Sequence, residues 1–82
     1  MNKATYNLIF NPEPEGGFTV IVPSLPGCVT YGKNLTEAKK MAKEAINAYL
    51  SSLKKHEEAA PNDEQSFFST INMDTPVPFS YA

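Results

Sequence analysis

The stretch FTVIVPSLPGCVTYGKNLTEAKK, residues 18–40, decides how this chain folds. Phe18, Val20 and Val22 alternate with Thr19 and Ile21, the period of a strand, and Pro23 stops the run because a proline has no N–H to give a ladder. Ser24-Leu25-Pro26-Gly27 is a turn. Pro26 presets one φ, Gly27 accepts the left-handed geometry that follows, and Leu25 is placed to enter the core. Cys28 to Gly32 reads as a further strand, rich in β-branched and aromatic residues and ended by Gly32. Asn34 then offers a side-chain oxygen to an orphan helix N–H, and Glu37 three positions on completes a capping-box-like pair.

Upstream, Tyr6, Leu8 and Phe10 alternate with Thr5 and Asn7, so residues 4–10 read as a strand. Pro12, Pro14, Gly16 and Gly17 turn the chain into the strand at Phe18, giving a hairpin and, with Cys28 to Gly32, a three-stranded antiparallel meander. Downstream, Ala38, Met41, Ala42, Ala45, Tyr49 and Leu53 recur at spacings of three and four, flanked by Ile46 and Leu50. Lys39, Lys40, Lys43, Asn47, Ser51 and Lys54 fill the opposite side, which defines one amphipathic helix. Its small alanines let it lie close to a sheet. The pattern frays over His56 to Ala60, and Pro61 ends it. Pro61 to Glu64 reads as a loop. Phe67, Ser69, Ile71 and Met73 then alternate with Phe68, Thr70 and Asn72, which predicts a fourth strand over 66–73. The expected architecture is α+β, ordered β-β-β-α-β. It forms one domain over residues 1–73, followed by a Pro/aromatic tail over 74–82 that holds Pro76, Pro78, Phe79 and Tyr81.

Eighty-two residues, 41% hydrophobic and 20% charged, make one globular domain. Surface scaling allots such a chain about 4,900 Å² when folded against about 13,000 Å² extended, so roughly 60% is buried. So thin a core predicts completion by a partner or by self-association as a dimer or tetramer. The seven basic residues are all lysine, and nine carboxylates leave a net charge of −2. Without the guanidinium fork, nucleic-acid readout is disfavoured, and an acidic chain suits a basic partner. The acidity is concentrated late, where residues 59–82 carry Asp63, Glu64 and Asp74 and no lysine. One cysteine, no apolar segment after Met1 and no run of eighteen apolar residues predict no disulfide framework, no secretory signal and no membrane span. The cytoplasm is the expected location.

Candidate chemistry is sparse. His56 is the lone histidine, at a charged helix end, and Cys28 at a strand start is more often a small buried hydrophobe than a nucleophile. No ligand pair stands at zinc or calcium spacing, so no metal or cofactor is expected. Glu13 and Glu15 are more often a solvated turn than an acid–base pair. Gly16-Gly17 lacks the Lys-Ser/Thr and the helix of a phosphate loop, and Lys39, Lys40 and Lys43 make a wet helix face. A binding module, not an enzyme, is the expectation.

Tyr6, Glu15-Gly16-Gly17-Phe18-Thr19-Val20, Val22-Pro23-Ser24-Leu25-Pro26-Gly27-Cys28, Gly32, Leu35, Glu37-Ala38 and Glu44-Ala45 together resemble the HicB family of antitoxins over about residues 4–53. The resemblance implies a partial ribonuclease H-like fold, with the helix on one face of the meander and a fourth strand beside the first. It also implies a function: binding and occluding a small basic HicA-type toxin that cleaves mRNA. The alternative is an orphan oligomeric HicB-like module without a toxin. Two departures fall in loops, where Ser24 and Lys33 replace acidic residues of the family pattern. Residues 59–82 are too few and too acidic for the appended DNA-binding domain of many members, so no autonomous DNA binding is expected. Ribonuclease chemistry is disfavoured because Leu8, Ile9, Ile71 and Asn72 stand where metal-holding carboxylates would be required. The expected partner contacts are Glu13 and Glu15 at the hairpin tip with Phe68, Thr70 and Asn72 on one face of the fourth strand. Pro26, Gly27 and Gly32 are assigned to backbone shape.

Overall fold

The computed structural model describes residues 3–78; the tail residues Phe79 and Tyr81 lie outside the described residues. Three short strands, β1 (Ile9–Pro12), β2 (Phe18–Ile21) and β3 (Val29–Gly32), form an antiparallel sheet in the order β1-β2-β3. One long helix, α1 (Leu35–Lys55), follows. This is an α+β fold of the expected order as far as the helix.

The register fixes which residues share a face. Phe10, Val20 and Thr30 stand opposite one another, as do Pro12, Phe18 and Gly32. Alternation then puts Ile9, Ile21 and Val29 on the other face, with Asn11, Thr19 and Tyr31 beside them. Helix α1 covers the first face. Val20, Ala38 and Ala42 are fully buried there, with Leu8, Phe10 and Phe18 packed around them. The close approach depends on small residues: a Cβ at Gly32 would overlap the backbone of Ala38, so only glycine lets β3 lie this near the helix. Pro12 is tolerated because β1 is an edge strand.

The Pro23–Gly27 loop builds the second half of the core. Leu25 N–H donates to the Val22 carbonyl at 3.0 Å and Cys28 N–H to the Leu25 carbonyl at 2.9 Å, two successive turns. Gly27 between them has φ +83°, the left-handed geometry anticipated for it. The turns drive Leu25 inward to 0% exposure, against Val22, Cys28, Tyr6, Ala45, Ile46 and Tyr49. Each fully buried aliphatic of this size contributes about 1.5–3 kcal/mol.

Both helix ends are capped. Asn34 Oδ1 accepts from Glu37 N–H at 2.8 Å, and Glu37 Oε1 accepts from Lys33 N–H at 3.0 Å, one residue earlier than the usual reciprocal bond. At the other end Glu58 N–H reaches the Leu53 carbonyl at 2.9 Å and Glu57 N–H the Lys54 carbonyl at 3.1 Å. Those two bonds are a Schellman motif, and they hold Glu57 at φ +56°. The helix therefore ends through its own cap, before Pro61 acts.

Three expectations need correction. β1 begins at Ile9 and includes Pro12, so residues 4–8 precede it as extended chain without a ladder. Residues 66–73 form no strand. The place beside the early chain is taken instead by residues 61–63, fastened to residues 5–7 through side chains, and a turn closed by Ser66 N–H on the Asp63 carbonyl at 2.9 Å follows at once. Phe68, Thr70 and Asn72 thus stand on an exposed arm rather than on a face of a sheet. The surface area, 7085 Å², exceeds the expected compact value by about 2,200 Å². The radius of gyration is 15.3 Å where a compact chain of this length has about 12 Å.

Candidate interaction surface

Asp63 is the only buried charged residue among those described, 6% exposed. Its Oδ2 accepts from Asn7 N–H at 2.9 Å and its Oδ1 accepts from the Ser24 hydroxyl, while its own N–H donates to the Thr5 carbonyl at 2.8 Å. Asn62 Oδ1 adds a bond from Thr5 N–H at 3.0 Å, and the Tyr6 hydroxyl donates to the Pro61 carbonyl at 2.6 Å. The Asn7 amide and then the Ser24 hydroxyl hold the Asp63 carboxyl below its ordinary range. Ser24, a departure from the family pattern, thus has a partner here.

Beyond this anchor, every described residue from Glu64 to Pro78 is exposed. Phe67 is 88% exposed, Phe68 60%, Ile71 80% and Met73 71%, an exposed apolar patch along the arm. Thr70 and Asn72 are exposed between them. Asn62 Oδ1 also accepts from Glu64 N–H at 3.0 Å, a local turn bond that residue type could suggest, but the bonds from Thr5 to Asn62 and from Asn7 to Asp63 span more than fifty positions of sequence.

Glu13 and Glu15 lie in the β1–β2 turn, Glu13 half-buried and Glu15 exposed. Glu13 N–H donates to the Gly17 carbonyl and Gly16 N–H to the Glu13 carbonyl, both at 2.9 Å, and the Tyr31 hydroxyl donates to the Gly16 carbonyl at 2.9 Å. The tip is therefore a fixed presentation of two carboxylates. Among the described residues no hydrogen bond joins it to the arm. Pro26 and Gly27 are exposed in their turn and Gly32 is buried under the helix.

A groove of about 440 Å³ lies between the extended residues before β1 and helix α1, floored by Tyr6, Leu8, Ile46 and Leu50 and rimmed by Lys39 and Lys43. The helical period marked its apolar residues as core, since pattern alone does not show that no second layer covers them. Burial pushes the Cys28 thiol up, which keeps it protonated and inert. His56 is exposed at the end of α1, its Nδ1 2.8 Å from the Ser52 carbonyl. Among the described residues no group of three or more His, Cys, Asp or Glu side chains is placed to share a metal ion, and no helix is long and apolar enough to cross a membrane.

The chain is thus a small α+β domain with an acidic hairpin tip, an apolar groove and an exposed aromatic arm, and with no metal-holding cluster among its described residues. Over residues 6–75 the chain matches the family described as HicB_like antitoxin of bacterial toxin-antitoxin system, and it belongs to that family. A UPF0150 protein of Thermoplasma acidophilum is 50% identical over 58 residues, spanning 71% of this chain and 84% of that one. UPF0150 proteins of Archaeoglobus fulgidus (42% over 45 residues, 55% of this chain and 65% of that one) and Helicobacter pylori (39% over 59 residues, 72% and 82%) are similar too.

Proposed function

We propose that this protein is an antitoxin that binds and occludes a small, basic, mRNA-cleaving toxin of the HicA type, acting by contact and not by catalysis. Family membership over residues 6–75 is the observation that carries it. The surface chemistry supports it: Glu13 and Glu15 on a braced hairpin tip, and an arm with Glu64 and Asp74, no lysine and exposed aromatics, suit a cationic partner. Glu13, Glu15, Phe68, Thr70 and Asn72 are the proposed contacts, with Phe68 the apolar anchor. The protein works in the cytoplasm, where its toxin would act, as a homo-oligomer, and it does not bind DNA by itself.

The test is co-expression of the small open reading frame adjacent to this protein's gene, with and without this protein, scoring growth and co-purification together. Growth arrest relieved by a co-purifying complex is the expected result. No toxicity and no complex would overturn it and leave the orphan oligomeric module, for which the exposed arm already argues. Within a complex, Phe68→Ala should weaken toxin binding by about 2 kcal/mol in a titration. A change of only a few tenths would remove the arm from the interface.

A further inference from the structure

We infer that the arm of one chain docks in the Lys39/Lys43-rimmed groove of a second copy, and the second arm in the first groove, forming a reciprocal dimer. This rests on the homo-oligomer reading and is independent of any toxin.

In extended form Phe67, Ile71 and Met73 share one side of the arm, and they are the most exposed large apolar residues on it. Phe68, Thr70 and Asn72 share the other side and stay free for another partner. The groove offers what the first side lacks, an apolar floor of Tyr6, Leu8, Ile46 and Leu50. Its rim is cationic at one end, through Lys39 and Lys43 one helical turn apart, whereas the arm from Glu64 on carries Glu64 and Asp74 and no lysine. The open sheet face, with Ile9, Ile21, Val29 and Tyr31, carries no charge to match them and is the poorer acceptor.

Length agrees as well. From Phe67 to Met73 an extended chain runs about 20 Å. From Lys39 to Leu50 the helix wall of the groove runs about 17 Å. Because arm and groove belong to the same chain, a two-fold axis satisfies both at once and the assembly closes at two copies.

Sedimentation of the intact protein over a range of concentrations tests this. The expected result is a dimer. Phe67→Asp combined with Ile71→Asp, both on exposed arm positions that leave the core intact, should weaken it at least tenfold (about 1.4 kcal/mol). Lys39→Glu with Lys43→Glu should weaken it similarly, and mixing that variant with Glu64→Lys/Asp74→Lys should recover dimer, since in the mixed pair both arm–groove contacts are matched in charge. A monomer at every concentration overturns both the oligomer reading and this docking. A dimer indifferent to the arm substitutions overturns the docking alone, and so does failure of the mixed charge reversals to associate.

Discussion

A methyl group added at Gly32 has nowhere to go, because the backbone of Ala38 already occupies that space. Gly32→Ala must push α1 off β3, and overpacking of this kind costs about 2–3 kcal/mol, which urea unfolding would read directly. Asp63 acts through charge. Its carboxyl is held below the ordinary value of 3.8 by the Asn7 amide first and the Ser24 hydroxyl second. A depressed acid stabilises the fold above its unfolded-state value; as pH falls below about 3.8 that contribution declines, and it is gone below the folded-state value. Melting curves of the wild type and Asp63→Asn, taken from about pH 6 to pH 2.5, should therefore converge on acidification. Curves that stay parallel would show that the acid-sensitive contact lies elsewhere. Neither role follows from residue type alone: a glycine at a strand end and an aspartate in a polar loop have many bland explanations.

At the scale of elements, α1 ends on a residue poorly suited to the work. Glu57 holds φ +56° so that the Schellman bonds can form, and a left-handed residue with a Cβ is strained. Glu57→Gly should stabilise the protein by about 1 kcal/mol, visible as a raised Tm, whereas an unchanged or lowered Tm would mean that the strain is already relieved. The helix itself was legible from its sequence because Asn34, Glu37 and the apolar period all report the same local geometry. The strands β2 and β3 were legible for a similar reason, with Pro23 and Gly32 as boundaries. The alternation over 66–73 is as regular as that of β2, yet it makes no strand. A period of two records which side chains want cover, not which backbone supplies the ladder. The place beside residues 5–7 went to Pro61-Asn62-Asp63, where the Asn62 and Asp63 side chains, the Asp63 amide and the Pro61 carbonyl make bonds across more than fifty positions of sequence. That partnership leaves no periodic mark. Of the candidate contacts, the turn position of Glu15 followed from its Pro/Gly surroundings, while neither the exposed arm that carries Phe68 nor the groove that the helix and the early chain enclose did.

The whole molecule measures 47 × 28 × 20 Å, a long body for its mass, with a compact half stitched by turns and a second half that leaves from one anchor. Every element up to Lys55 closes on a neighbour nearby in sequence, so these contacts form quickly. Thr5 and Asn7 take their hydrogen-bond partners from Asn62 and Asp63, and Tyr6, though packed against the cluster around Leu25, gives its hydroxyl to the Pro61 carbonyl. During synthesis, then, the bonds of residues 5–7 to residues 61–63 must wait until the latter are made. The meander and helix can assemble while the opening segment is still loose. In the finished protein the same seam, held by a few hydrogen bonds outside the sheet and helix, should be the first to part. Hydrogen exchange should find the Asn7 and Asp63 amides opening together, at lower free energy than the Val20 amide in β2. Equal protection at all three would mean that the clasp and the sheet melt as one unit. If the seam does part first, whatever grips the arm pulls on residues 5–7 and 61–63 at once, and a bound partner tightens the fold from its loosest point inward.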